Sequence, residues 1–360
     1  MTSGRSTSPT FTPRVETSTG RCTLGVRLAL DGSFTQELAH HQDQALTWVH
    51  NIRASPLTRD KVYIAYCSMW RPSFEYILLI TCFTKQQCQT LQKTFTGPFL
   101  SKMGISSKTS RKLIFAPNYF SGFAFADTWI QQGQQHLQLL IGHLCHQDQV
   151  GNLLHISINT LQILLGYPSP PSYPYKDIAP IAPSSWLTTT WEFFDDINSS
   201  VTLSDPWIIP LNQEGDCHIM PKVLSQLFHI PNPLLSKPDL QKFNLCCIYL
   251  QVITLSDITT SSGTEIDCNF WNGHRSSPKS SLNWPNQIRP SSTCWGIWCK
   301  TLHLLFTDSA TSKRILPSYC LHRWLPNSKS HQLWPTYVDP TTSQLFTRLV
   351  GATTYIIYQP

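Results

Sequence analysis

A mainly α fold with short β elements, of the α+β kind, is predicted for this chain by three observations. Apolar residues recur at a spacing of 3.6 in most of the long stretches between turn signals. Clusters of Gly, Pro, Ser and Thr cut those stretches to lengths typical of globular helices. Strand-like runs are few and short. With 360 residues the chain has room for two domains, or three.

The elements follow in order. Residues 1–20 form a Ser/Thr-rich leader with Arg5 and Arg14 and no apolar segment, and disorder is expected there. Thr23-Leu24-Gly25-Val26 predicts a short strand ending near Asp31-Gly32. Leu38, Ala45, Leu46, Val49 and Ile52 share a helical period, so a helix is expected over 36–53, broken by Ser55-Pro56. A second helix begins after Thr58 and is expected to kink or end at Pro72. A third runs from Lys85 to Phe95 and stops at Gly97-Pro98.

Asn118 to Ala126, rich in Gly and aromatics, predicts a tight turn and a short strand. Helices are expected over 128–146 and 152–165, the second ended by Gly166. The Pro-rich stretch 167–183 marks a domain boundary. Beyond it, Ser184-Ser185 should cap a helix bearing Trp186, Trp191 and Phe194. Residues 201–210 are expected extended, 219–227 and 240–258 helical, and 261–290 a polar linker. A last amphipathic helix over 291–306 carries Trp295, Trp298 and Leu302. A Trp/Pro-rich tail (324–337) and one or two closing strands (344–358) complete the reading.

Composition narrows the function classes. Charged residues make up 13%, about half the usual share, and aromatics 11%, too many for a disordered chain. The net charge of +6 leans toward a nucleic-acid partner. The longest nearly apolar run, Phe243 to Leu255, is too short to span a bilayer, so no membrane association is expected. The 12 cysteines show no repeated spacing and no disulfide framework. The chain is expected to be intracellular, nuclear or cytoplasmic, with reduced thiols.

Several strings point to one family. Leu24-Gly25-Val26-Arg27-Leu28, Pro56-Leu57-Thr58, Ala65-Tyr66, and Ser68-Met69-Trp70-Arg71-Pro72-Ser73 with Glu75-Tyr76 come first. They resemble the end of the palm and the thumb of reverse-transcriptase-domain proteins, encoded by eukaryotic retroelements without long terminal repeats or by their relatives. Phe83-Thr84, Gln87-Cys88, Ser101-Lys102-Met103-Gly104, Gln132-Gly133 and Leu140-Ile141-Gly142-His143-Leu144 are similar to that family's post-polymerase segment. So are Trp284 to Ser291 and Ser330 to Pro335. The resemblance implies a leader (1–20), the palm's end with a helical thumb-like bundle (21–115), a helical post-polymerase segment (116–166) and a second, mostly helical region (184–360). It also implies an RNA-directed DNA polymerase whose intact form uses Mg²⁺. Because the likeness begins at the palm's last strand, the fragment is expected to be inert alone and to need no cofactor. A decayed element copy without selected activity, at most an interaction domain, is the alternative.

The chemistry-bearing residues were weighed against that background. Two-metal phosphoryl transfer needs carboxylates from separate strands around ions about 4 Å apart. Phe193-Phe194-Asp195-Asp196 matches the family's aromatic-x-Asp-Asp hairpin in letters, yet it lies on a helical pattern and after the thumb-like region, so it is set aside. Asp127, the conceivable third carboxylate, is set aside with it. His136, His143, Cys145 and His146 crowd one helix, but structural zinc wants close ligand pairs from two elements. The expected site is a basic cluster, Lys102, Lys108, Arg111 and Lys112, with Lys85 and Lys93 on the preceding helix. Its partner is expected to be RNA or an RNA–DNA duplex, held weakly through phosphates. An ordinary solvated face is the competing reading.

Overall fold

The computed structural model describes residues 16–106, 108–146, 148–167, 174–199, 201, 211, 213–214, 216–260, 263–275, 284–285 and 287–308, and backbone strands within 311–358. Thirteen α-helices are placed among them: α1 (Thr35–Ala54), α2 (Arg59–Ala65), α3 (Arg71–Leu78), α4 (Lys85–Lys102), α5 (Arg111–Phe115), α6 (Thr128–His146), α7 (Gln149–Leu165), α8 (Tyr175–Ile178), α9 (Trp186–Asp196), α10 (Ile219–Val223), α11 (Lys237–Leu250), α12 (Cys268–Trp271) and α13 (Ser292–Phe306). The strands are β1 (Arg21–Thr23), β2 (Val26–Leu28), β3 (Gln213–Glu214), β4 (Thr307–Asp308), β5 (Thr311–Ile315), β6 (His322–Leu325), β7 (Thr336–Val338), β8 (Leu345–Arg348) and β9 (Tyr355–Tyr358). The fold is mainly α with short β elements, as the periodicity predicts. The chain forms two compact units, one of Met1–Gly142 with Ser184–Phe193, the other of His143–Pro183 with Phe194–Pro360.

In the first unit, β1 and β2 form an antiparallel hairpin with Arg21 opposite Leu28. This corrects the single strand expected across Thr23 to Val26. Leu24 and Gly25 take φ of 52° and 85°, the positive pair that a two-residue hairpin turn requires. A leucine rarely sits there, and its carbonyl is held by the Tyr76 hydroxyl at 3.0 Å.

α1 packs on α4. From α1, Glu37 is fully buried; its Oε2 accepts the Arg27 backbone N–H at 2.7 Å and its Oε1 meets His41 Nε2 at 2.7 Å. Burial holds the His41 pKa below its ordinary value, against the raising effect of Glu37.

At both expected helix breaks the chain stays helical. Pro72 sits at the start of α3, and the chain stays helical from α2 to α3 through a wider π turn at Tyr66–Trp70. That turn makes room where the proline ring would meet the preceding carbonyl and where its missing N–H leaves a gap. Gly97-Pro98 likewise lies inside α4, which begins at a reciprocal cap between Thr84 and Gln87 and runs on to Lys102. An interior proline costs about 3 kcal/mol. Burial of Phe95, Phe99 and Leu100 on the same helix, roughly 1.5–3 kcal/mol per side chain, offsets it. Trp70 stacks on Phe74 and meets Phe95 edge-on, with centroids 5.8 and 5.2 Å away, at the centre of this core.

α6 begins at Thr128, as expected, and α9 is capped by Ser185, whose Oγ accepts the Thr188 N–H at 3.2 Å. Between these helices, Gly133 approaches the Phe193 ring so closely that a Cβ would lie 2.2 Å from it. His136 is buried with Nε2 3.1 Å from the Thr81 carbonyl and Nδ1 3.1 Å from Thr190 Oγ1.

In the second unit, α7 starts earlier than expected because Asp148 caps it, accepting the Gly151 N–H at 2.7 Å. The stretch 167–183, read as a boundary, falls within this unit; it contains α8, and residues 168–173 lie outside the described ones. α11 opens on a reciprocal cap between Ser236 and Asp239 and packs on α13, where Phe243 stacks on Trp298 at 5.1 Å. The helix expected over 240–258 ends at Leu250: Gln251 turns left-handed with φ of 60°, and Val252 N–H closes on the Cys247 carbonyl at 3.0 Å. The loop beyond is organised by acids. Asp257 Oδ2 accepts the Ile253 and Thr254 N–H groups, each at 2.9 Å, and Asp216 Oδ1 accepts those of Cys217 and Ser256.

The polar linker expected over 261–290 is also corrected in part. Ile266 and Phe270 are buried, and the Phe270 carbonyl accepts the Trp298 indole N–H at 3.1 Å. Residues 261–262, 276–283 and 286 lie outside the described ones, as do the leader's residues 1–15, the extended run's 202–210 and the tail's 326–335. β6 to β9 form an antiparallel meander with β3 added at the β6 edge. Of the one or two closing strands expected over 344–358, two form, β8 and β9, with Leu345 opposite Tyr358.

Candidate nucleic-acid interface

Three of the six expected cations, Lys108, Arg111 and Lys112, lie on a small motif after α4, over 105–126. Its backbone closes on itself. Phe123, Ala124 and Phe125 donate their N–H groups to the carbonyls of Leu113, Ala116 and Ile114 at 3.0, 2.9 and 3.0 Å. Ahead of that return, Pro117 O accepts the N–H groups of Phe120 and Gly122. Gly122 passes so close to the Ala116 carbonyl oxygen that a Cβ would meet it at 2.0 Å, so only glycine fits. The short strand expected within 118–126 is not formed; a tight 3₁₀ turn over Asn118–Phe120 and this irregular return take its place.

The base of the motif is anchored in the first unit's core. Phe125 and Ile114 are buried; Phe125 stacks on Tyr66 at 4.4 Å, and the Tyr66 hydroxyl accepts the Ala126 N–H at 3.0 Å. Burial pushes the Tyr66 phenol up to about 12, so it stays un-ionised while it holds the loop. Asp127 follows directly and accepts the Trp129 and Ile130 N–H groups at 3.0 and 3.2 Å. It is the N-cap of α6, a structural task for the residue weighed as a third carboxylate.

The tip presents side chains to solvent. Lys108, Arg111 and Lys112 are exposed. So are Tyr119 and Phe120, at 79% and 69%, with ring centroids 4.2 Å apart. Apolar rings so exposed are unusual on a motif whose other aromatics, Phe115, Phe123 and Phe125, are half-buried or buried. Sequence reading missed the pair. Their spacing fits neither helix nor strand, and the one available signal was two adjacent aromatics following Pro117 and Asn118 in a turn.

The remaining expected cations are placed elsewhere. Lys102 is half-buried, and its Nζ donates to the carbonyls of Arg53 and Ser55 at 3.2 and 2.8 Å, at the C-terminal end of α1. Those carbonyls are the negative end of the helix, so Lys102 serves there as a cap. Lys85 and Lys93 stand on the exposed side of α4.

The sequences set aside as catalytic or metal sites have ordinary surroundings. Phe193 and Phe194 are buried, and Asp195 and Asp196 form the last turn of α9, where Asp195 Oδ2 accepts the Lys176 N–H at 3.4 Å. His143 pairs with Asp148 at 2.6 Å, while Cys145 and His146 are exposed. Among the described residues no group of three or more His, Cys, Asp or Glu could hold a metal ion. The described cysteines are free thiols. Burial pushes Cys82 and Cys246 up to about 12 and Cys217 to about 11, which leaves them protonated and poor nucleophiles. No described helix is long and apolar enough to cross a membrane. No protein-family model, curated protein or solved structure matches the chain.

Proposed function

We propose that this chain binds RNA or an RNA–DNA duplex without regard to sequence, as the nucleic-acid-holding part of a retroelement reverse transcriptase, and that it carries no polymerase centre of its own. The observation that carries the reading is the exposed trio Lys108, Arg111 and Lys112 on a motif whose closing hydrogen bonds use none of their side chains. Cations held on a rigid base and free of internal partners can neutralise successive phosphates and release the counterions condensed there. The likeness of the flanking sequence to a thumb supports the same reading. Catalysis is left out because Asp195 and Asp196 end a helix and Asp127 caps one.

Affinity for an RNA 20-mer and an RNA–DNA duplex, measured by fluorescence anisotropy between 50 and 200 mM salt, tests the binding. Each phosphate contact contributes about 0.7 to 0.9 to the slope of log affinity against log salt. Replacing all three cations by Ala should therefore lower the slope by about 2. An unchanged slope would reduce the trio to a solvated face. Primer extension with Mg²⁺ or Mn²⁺ should yield no product; extension abolished by Asp195→Asn with Asp196→Asn would restore the acids of α9 as a catalytic pair.

A further inference from the structure

We infer that Tyr119 and Phe120 form a stacking platform for unpaired bases, so that the motif over 105–126 prefers single-stranded nucleic acid to duplex. The inference rests on the binding proposed above and adds the form of nucleic acid recognised. Four observations carry it. The rings are 79% and 69% exposed, which costs apolar hydration unless a partner covers them. They lie 4.2 Å apart and are inclined by 45°, so they offer two differently directed faces to neighbouring flat groups. Their backbone is fixed: Ser121 turns left-handed at φ of 59°, Ser121 N–H closes on the Asn118 carbonyl at 2.9 Å, and Gly122 is wedged against Ala116. Finally, the same short motif carries three exposed cations, Lys108, Arg111 and Lys112.

These features select an occupant. Cations on the same motif as the rings favour a polyanion, and a polyanion with flat apolar faces every few ångströms is a nucleic acid whose bases are unstacked. In a duplex those faces are already stacked on one another, so only the phosphates remain to be held. In a single strand each ring can take one base, a contact that is tolerant of sequence because every base has a π face. A platform set in advance loses little conformational freedom on binding, which is what an exposed, backbone-locked pair provides.

The test uses the full chain and three labelled probes: an RNA 20-mer of uridine, a DNA 20-mer of thymidine and a blunt RNA–DNA 20-mer duplex. The double variant Tyr119→Ala, Phe120→Ala should lose about tenfold or more in affinity for the single strands and less than about twofold for the duplex. Its salt slope should stay at the wild-type value, because the cations are intact. The ring-preserving variant Tyr119→Phe, Phe120→Tyr should bind as wild type, which separates loss of the platform from loss of the fold. Comparison of the two single strands tells whether the platform takes RNA and DNA alike. Equal losses on single strand and duplex, or no loss on either, overturn the platform and leave phosphate binding standing. Absence of binding to all three probes overturns both proposals. Binding of anionic lipid vesicles that the double variant abolishes, with nucleic-acid affinity unchanged, overturns the platform in favour of a lipid surface.

Discussion

The two compact units hold titratable groups whose proton affinities are shifted in opposite directions, and those groups should answer acid in opposite ways. The first unit encloses two imidazoles, one of them paired with the buried Glu37 carboxyl. His136 is pressed down to about 4 by burial, against the raising effect of its bond to Thr81, and His41 is lowered by burial despite Glu37. The second unit half-buries Asp257, whose pKa is raised above 3.8 by loss of water even though backbone N–H groups stabilise its charge. Each group is held by its own unit: His136 by a carbonyl and a hydroxyl, His41 by the Glu37 carboxylate, and Asp257 by backbone N–H groups. Titratable groups engaged inward in this way build the fold. Charges left outward on the motif over 105–126 are the ones available to a partner, and that contrast is what separates the structural residues from the candidate interface.

Acid breaks the comparison most strongly. His136 binds its proton less well folded than unfolded, so its contribution to stability is complete above 6.5 and is lost as pH falls toward about 4. The loss reaches roughly 3 kcal/mol for a shift of this size. Asp257 behaves inversely: its contribution is present below 3.8 and is lost as pH rises through the raised folded value. Amide exchange resolved by mass spectrometry, corrected for the intrinsic effect of pH, should show protection falling in the α6 peptide Thr128–Gly142 between pH 6.5 and 4 while α11 holds. A parallel fall in both would erase the distinction between the units.

A smaller effect sharpens it. Asp257→Asn keeps an oxygen for the Ile253 and Thr254 N–H groups and removes the charge. Its unfolding free energy should stay within about 1 kcal/mol of wild type, with the pH dependence above 3.8 flattened. Asp257→Ala leaves both N–H groups without that acceptor and should cost about 2 kcal/mol. Urea unfolding of the pair at neutral pH reads this directly. Similar losses in both variants would mean that the charge, rather than the acceptor, holds the loop.

Helix existence was legible wherever an apolar stripe ran uninterrupted. Thr128 to His146 and Ser292 to Phe306 appear almost as the 3.6 spacing predicts, because one continuous face had to be buried. Local breakers misled the reading where burial outweighed them. Pro98 continues inside α4 beneath Phe95 and Phe99, and Pro72 is absorbed by a π turn around Trp70. In the reverse sense, Leu240 to Ile258 is apolar enough for one long helix but is cut at Gln251, which carries no turn signal in its residue type.

The candidate site divides the same way. The sequence by itself determined the basic character of 108–112 and the turn-forming character of 118–126, since charge and glycine content are properties of residues taken singly. Exposure belongs to the assembled chain. Only the tertiary structure decided that Phe125 turns inward onto Tyr66 while Tyr119 and Phe120 stay in solvent, and that Lys102 spends its ammonium on the carbonyls of Arg53 and Ser55. An aromatic or a lysine can satisfy either environment, and the neighbour that chooses between them is supplied by contacts across 47 to 60 residues of chain, which no local pattern records.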